Sequence, residues 1–492
     1  MEAKLYGQNK GGTSINGIIK DYYAYAGENI SAGDLVEYVN GVAGKVDYGE
    51  SSDTVIDSSN TYTGRWISAL ALDANRVFIA HSYTSGLKLY GIVCTVNGAT
   101  ITLGADTPLK DSNGTAEGSS IGLLPDGRVF ISHKDNSNYL YGMLVSINGT
   151  TITVDVDTQL STNKPYTFRS STIALPNGNV FIAHSAKTDN YVYGMVCAID
   201  GNTITYGTDT AINTAKSYTG DTISACLLTD GNVFVAHSYN SSHYLYARVC
   251  SISGTTITVG TAKALISDTV KTGEYISTCT LPDGKVFVAH SSSENLNLYG
   301  MVCTISGTTV SKGADAQLSS TTNSSVGVKA VVLLNGNVLI THSGNSNYVL
   351  YGMVCAIDNT TINKISDNQL NPNVYTGYTT EPVPLNNGTM CIAYSNGTDY
   401  KLNAQVWRVN ENNIPTNNII ATNYETQVRK VTTGQFDGIA KTNGIGGDDI
   451  GHNDLVSIYT LVPIVTQEMA MADGNTLADA NGDIFLVREE IA

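Results

Sequence analysis

Charge is scarce in this chain. Asp, Glu, Lys and Arg make up 14% of 492 residues, and 27 Lys plus Arg stand against 43 Asp plus Glu. A net charge of −16 without a basic cluster argues against a nucleic-acid partner, because displacing counterions from phosphates takes clustered Lys and Arg. The acidic balance suits solubility and mutual repulsion at high local concentration. Long apolar runs are missing as well. No stretch approaches the ~20 apolar residues that cross a bilayer, so no membrane insertion is expected. The opening Met1-Glu2-Ala3-Lys4-Leu5-Tyr6-Gly7-Gln8 lacks the apolar centre of a signal peptide, so synthesis in a cytoplasm without export by the usual route is expected. Tryptophan occurs twice, at Trp66 and Trp407. No amphipathic 3.6-residue period runs through the repeats described next, which leaves strands as the building element.

What the chain has is repetition. Between residues 64 and 424 one pattern recurs seven times: a Val-Phe-Ile-Ala-His strand, a polar loop, a Leu-Tyr-Gly-Met-Val-Cys strand and a short Thr-Ile-Thr strand. His81, His133, His184, His237, His290 and His342 mark the first six copies and Tyr394 the seventh, at intervals of 51–53 residues. Each copy begins with a further apolar run, such as Ile67 to Leu72, followed by Asp73-Ala74-Asn75, Pro125-Asp126-Gly127, Pro176-Asn177-Gly178 or Pro282-Asp283-Gly284. These are tight hairpin signals, because Asn and Gly accept positive φ. Four antiparallel strands per ~52-residue copy make a blade, and seven blades predict an all-β, seven-bladed β-propeller, in which radial repetition leaves only short sheet edges. A linear β-solenoid is the competing architecture; its coils are shorter and need capping units that the sequence does not offer.

Ring closure has two candidates. Most copies end in an acidic tetrapeptide, such as Asp106-Thr107-Pro108-Leu109 or Asp157-Thr158-Gln159-Leu160; the seventh has none, yet Asp53-Thr54-Val55-Ile56 precedes the first copy at a matching distance. This N-terminal piece competes with the strand after Asn413 for the last blade.

The repeated side chains read as packing. Six histidines in six blades lie too far apart to share one ion at Zn–N distances of about 2.0–2.1 Å, so hydrogen bonding between blades is the expected role, with no metal and no cofactor. Tyr90, Tyr141, Tyr193, Tyr246, Tyr299 and Tyr351 read as packing on the third strand, with sugar stacking as the alternative. Cys94, Cys197, Cys250, Cys303 and Cys355 share one repeat position, Cys226 and Cys279 another, and Cys391 replaces a phenylalanine; without any C-x-x-C pair they read as buried free thiols. The loops between the second and third strands vary most between copies, so Tyr83, Asn136, Asn190, Tyr239, His243, Asn295 and Asn345 are the candidate ligand-facing residues. No G-x-S-x-G elbow, P-loop or H-E-x-x-H is present, nor the Ser-x-Asp-x-Gly-x-Thr-Trp boxes and arginine cluster of sialidase-type propellers. Acidic pairs such as Asp155 with Asp157 and Asp448 with Asp449 read as turn or surface residues. A non-enzyme is expected, with no catalytic residue assigned.

The flanks differ from the ring. Residues 21–52 and 425–465 are β-rich, and each is too small to bury a core alone, so the expectation is one small anchoring domain split around an inserted propeller at 53–424, with arms at 1–20 and 466–492. Ala26-Gly27-Glu28-Asn29-Ile30-Ser31-Ala32-Gly33-Asp34-Leu35-Val36, then Gly438-Ile439-Ala440, Gly447-Asp448 and Val456-Ser457-Ile458, resemble the small capsid cement or decoration proteins of tailed bacteriophages over about 65 residues. The large insertion is the departure from that family. The resemblance implies a structural virion protein on the capsid exterior, made in a bacterial host cytoplasm. Its partners would be the major capsid protein lattice and copies of itself, with the propeller displayed and host-surface glycans as a weak ligand. Gly27, Ile30, Gly33, Asp34, Val36, Gly438, Ile439, Ala440, Gly447 and Asp448 would carry the anchoring. A tail-associated receptor-binding protein is the first alternative and a propeller glycosidase or lyase the second.

Overall fold

A computed structural model describes residues 54–409 except 57–62, 64–65, 84–85, 99, 161–165, 187–190, 214–221, 240–243, 268–274, 293–296, 320–326, 334–335, 345–346, 372, 374–378, 386–388 and 397–399. Outside that range it describes the backbone of short strands alone. By compactness the chain divides into two units, 50–409 with 413–419, and 1–49 with 410–412 and 420–492.

The first unit is a seven-bladed β-propeller. In blade 1 the strands Ile67–Ala71, Arg76–Tyr83, Lys88–Asn97 and Thr100–Leu103 lie side by side in that order, each antiparallel to the next. The innermost strands of the other six blades are Ser120–Leu123, Tyr166–Ala174, Ile223–Leu227, Ile276–Thr280, Lys329–Val332 and Thr380–Pro384. Each touches the next around the axis, and Thr380–Pro384 touches Ile67–Ala71, which closes the ring. The hairpin glycines Gly127, Gly178, Gly231, Gly284 and Gly336 sit at φ between 82° and 87°, the conformation that the turn sequences foretold.

The core is a set of interlayers rather than one centre. Val77 and Ile79 of blade 1 pack on Val383, Cys391 and Ala393 of blade 7, whereas Phe78, pointing the other way, packs on Ile131 and Met143 of blade 2. The period-2 alternation therefore serves two neighbours at once, and both faces of the second strand are apolar. Phe78, Phe130, Phe181, Phe234 and Phe287 are fully buried. They explain the glycine of the Leu-Tyr-Gly motif: a Cβ on Gly91 would lie 3.0 Å from the Phe78 ring and one on Gly142 would lie 2.6 Å from that of Phe130.

The acidic tetrapeptides complete the outer edge. Thr107–Lys110 pairs with the third strand of blade 1, beside the part that Thr100–Leu103 leaves free. In blades 2 and 6 the two segments merge into single strands, Thr151–Gln159 and Thr361–Asn371. Gly104, Gly207, Gly260 and Gly313 interrupt the edge elsewhere, and a Cβ there would strike the neighbouring blade; the merged strands carry Asp155 and Ile365 instead.

Both closure candidates are used, on different halves of blade 7. Pro415–Thr416 pairs with Arg408 and Val409, while Thr54–Val55 pairs with Ala404 and Asn403. Ile56 N–H donates to the Leu402 carbonyl at 3.0 Å, and the Leu402 N–H donates to Thr63 Oγ1 at 2.8 Å.

In the second unit, segments from both ends of the chain share one seven-stranded sheet. Ile18–Ala26 pairs antiparallel with Leu455–Thr460, and Leu35–Asn40 pairs with Thr426–Val431 and Gly438–Ala440. Thr476–Ala478 pairs with Phe485–Val487.

Candidate functional site

Register fixes where a ligand can enter the ring. Ile67 pairs with His81, so each innermost strand begins at the end of the blade where the second strand finishes and the variable loop starts. The hairpins with conserved-looking turn sequences occupy the opposite face. At the loop face the innermost strands surround a pocket of about 240 Å³ on the axis. Two rings of equivalent positions line it, with Ser68, Ser120, Lys329 and Glu381 of a third. Trp66, Gly118, Thr222, Tyr275, Gly327 and Thr379 form the rim; Ile67, Ser119, Ser170, Ile223, Ile276, Val328 and Thr380 come next.

The third ring shows how the blades are stitched. Its members are Ser68, Ser120, Ser171, Ser224, Ser277, Lys329 and Glu381. An innermost strand is a sheet edge whose outward N–H groups need acceptors. Ser120 Oγ accepts from Thr172 N–H of the next blade at 3.0 Å, Ser171 from Ala225 at 3.0 Å, Ser224 from Thr278 at 3.0 Å and Ser277 from Ala330 at 2.9 Å. The next step of this pattern reaches Pro382, which has no N–H to give. There the serine is replaced: Lys329 Nζ instead meets Glu381 Oε1 of the next blade at 2.5 Å. Burial raises the pKa of Glu381, and the ammonium of Lys329 opposes that shift without cancelling it. Glu381 is the one carboxylate among the described residues lining the pocket.

The repeated histidines bond inside their own blades, not between blades as the sequence suggested. Nε2 of His81, His133, His184, His290 and His342 reaches Asp106, Asp157, Asp209, Asp315 and Asp367 at 2.8–2.9 Å. Each Asp opens the tetrapeptide of the same blade, so the ring clamps the outer edge onto the second strand. Nδ1 of His81, His133, His290 and His342 faces the carbonyl of the following residue. Carboxylate on one side and carbonyl on the other fix the orientation of each imidazole. Burial works against an ionised Asp157, but the hydrogen bond and charge of His133 with Lys110 outweigh it and hold the carboxyl below the usual range; His342 and Lys364 do the same for Asp367.

His237 is the exception: its Nδ1 faces the Ser238 carbonyl at 2.9 Å, yet blade 4 has Ala262 where the Asp belongs. Tyr394 in blade 7 is fully buried and accepts from Asn371 Nδ2 at 2.9 Å. The third-strand tyrosines pack on the histidines, with ring centroids 5.6 Å apart for His133–Tyr141 and for His290–Tyr299. All eight cysteines are free; burial pushes the thiols of Cys197 and Cys250 up to about 12, which leaves them inert as thiolates.

The ring resembles known lectins and a sialidase in form. A mutant of AofleA from Arthrobotrys oligospora is 14% identical and matches over 67% of this chain and 95% of its own, with a TM-score of 0.42. Aleuria aurantia lectin in complex with alpha-methyl-L-fucoside is 12% identical over 61% of this chain and 96% of its own, with a TM-score of 0.42. The intramolecular trans-sialidase from Ruminococcus gnavus is 12% identical over 75% of this chain and 98% of its own, with a TM-score of 0.43. No family model and no curated protein matches the chain. Likenesses this distant decide neither ligand nor activity.

Of the loop candidates, Tyr83 ends a second strand and stacks on Tyr90 at 4.0 Å, and Asn136 is exposed in a turn. Tyr239 ends the strand Val233–Tyr239, while Asn190, His243, Asn295 and Asn345 lie outside the described residues. Of the anchoring candidates, Val36, Gly438, Ile439 and Ala440 fall in paired strands; Gly27, Ile30, Gly33, Asp34, Gly447 and Asp448 lie outside the described residues. Sequence reading missed the axial ring, Lys329 and Glu381 above all. Aligning the copies on the second position of the first strand, Ser68 in copy 1, would have exposed them, because five serines give way to one cation and one anion.

Proposed function

We propose that this protein is a non-catalytic, carbohydrate-binding component of a phage particle. Its propeller takes a sugar in the axial pocket, and the unit built from the two chain ends holds the capsid lattice. The observation that carries the binding reading is the composition of the pocket: the partly buried aromatics Trp66 and Tyr275, which also pack on the neighbouring interlayers, border it together with the hydroxyl-bearing Ser68, Ser119, Ser120, Ser170 and Thr380. Apolar sugar faces stack on aromatic rings and sugar hydroxyls exchange hydrogen bonds with Ser and Thr. Trp407, by contrast, is buried between blades and serves packing. The anchoring reading is supported by the sheet that strands from both ends share, with the whole ring placed between them in sequence.

Glycan-array binding by the full chain and its Trp66→Ala variant tests the pocket. Binding should fall at least tenfold in the variant, and unchanged binding would remove the axial site. Antibody labelling of purified particles tests location: labelled heads are expected, and labelled tails would replace decoration by receptor binding.

A glycan-cleaving ring is the second reading, favoured by the raised pKa of Glu381, as suits an acid. Glycoside hydrolysis ordinarily uses paired carboxylates, however, and the pocket offers Glu381 alone among its described residues. Release of reducing sugar from any array ligand would revive it.

A further inference from the structure

Blade 4 departs from its sisters at three neighbouring positions. The Asp that pairs with histidine in five blades is Ala262; the following residue, Thr107, Thr158 or Thr210 in blades 1 to 3, is Lys263; and the third-strand Met143, Met195, Met301 or Met353 is Arg248. Against that pattern blade 4 has lost one carboxylate and gained two cations, in a chain of net charge −16.

Two of these changes meet on the face toward blade 3, whereas Lys263, opposite Ala247, lies on the face toward blade 5. His237 pairs with Tyr246 and Val235 with Arg248 across adjacent strands, so His237 and Arg248 are diagonal neighbours on one face of the blade. That face carries Val233 and Val235 and packs toward blade 3, whose surface there is apolar, with Phe181, Ala183 and Val196. His237 Nε2 and Arg248 Nε are both buried and meet no hydrogen-bond partner. The bonds that the two side chains do make go to backbone carbonyls: His237 Nδ1 to Ser238 at 2.9 Å and Arg248 Nη1 to Gly260 at 2.9 Å. Among the described residues no carboxylate reaches either. A buried guanidinium N–H and a buried imidazole nitrogen, both without a partner and with no anion beside them, stand where five sister blades hold a carboxylate. The place is not sealed, since the sister aspartates keep 14–25% of their side chains exposed.

We propose that this notch between blades 3 and 4 binds a small monocarboxylate in place of the missing aspartate. One carboxylate oxygen accepts from Arg248 Nε–H. The other accepts from His237 Nε2–H, the ring taking one proton from solvent as the anion enters. The inference is independent of sugar binding in the axial pocket.

The full chain is melted at about pH 6 while acetate replaces chloride at constant ionic strength, and acetate binding is followed by calorimetry. A rise in Tm of about 2 °C by about 100 mM acetate is expected, with one site per chain. Arg248→Met installs the residue that four sister blades carry, and Ala262→Asp supplies the carboxylate internally; each should abolish the response, and the latter should raise Tm without acetate. No rise in the natural chain, or an equal rise in Arg248→Met, overturns the site and leaves a buried water accepting from Arg248 Nε–H and donating to His237 Nε2. Glucuronate in place of acetate separates the sources: a response to both identifies a notch open to sugar-borne carboxylates, and a response to acetate alone one limited to small free ions.

Discussion

At the scale of single residues, serine hydrogen bonds at the axis tie neighbouring blades together, and histidine–aspartate pairs at the periphery hold the outer edge within each blade. Ser277 is buried, and its hydroxyl is the acceptor that the structure gives Ala330 N–H across two blades. Ser277→Ala strips that acceptor away and should cost about 1–2 kcal/mol in urea unfolding. Acid sensitivity divides by group. Asp157 and Asp367 have depressed pKa values, so their contribution is complete above the ordinary aspartate range and is lost as pH falls below about 4. His237 has its pKa lowered to about 4, chiefly by burial. The unfolded chain protonates this histidine near 6.5 while the folded one resists, so stability is complete above about pH 6.5 and declines toward pH 4, by about 3 kcal/mol in buffers free of small carboxylates. His237→Gln should flatten that window in unfolding measured at pH 7 and pH 5; an equal decline in both proteins would refute the assignment.

At the scale of elements, close approach decides where a strand breaks. The outer edge of blade 3 turns at Gly207, where an added Cβ would lie 2.3 Å from the Thr255 carbonyl of blade 4. Neither backbone can yield without disturbing a ladder. Gly207→Ala should therefore lower stability by about 2 kcal/mol or more, whereas substitutions at Ile365, the equivalent place in a merged strand and an exposed one, should be close to neutral. Thermal unfolding of the two variants makes the comparison. Blade 2 shows another local exchange: Lys134 replaces the serine that follows histidine in other copies and is paired with Glu117.

At the scale of the whole molecule, stability rests on closure. Each blade buries its two faces only against its neighbours, so an opened ring exposes the interlayer between blades 7 and 1. Ile56 lies in that interlayer, and the short strand before it latches blade 7. Ile56→Asp should speed amide hydrogen exchange in Lys401–Val409 and Ile67–Ala71 at least tenfold while leaving Val233–Tyr239 protected. Uniform protection across all three would mean that the latch is dispensable.

The residues by themselves determined the blade count, the strand order within a blade, the hairpin turns and the fate of the cysteines. They could do so because a repeated period and a period-2 apolar pattern permit few arrangements. The closing segment was legible as two rivals, and only pairing showed that both fit, since each covers half of one strand. The histidine partners were visible in the sequence as acidic tetrapeptides but lay 24–25 residues away, a distance that no local pattern links. The axial pocket was least legible of all. Its walls are single residues contributed about 52 positions apart, and Lys329 and Glu381 become neighbours only when the ring brings consecutive innermost strands together around the axis. Local pattern is a property of the chain, whereas a site on the symmetry axis exists only after every blade has taken its place.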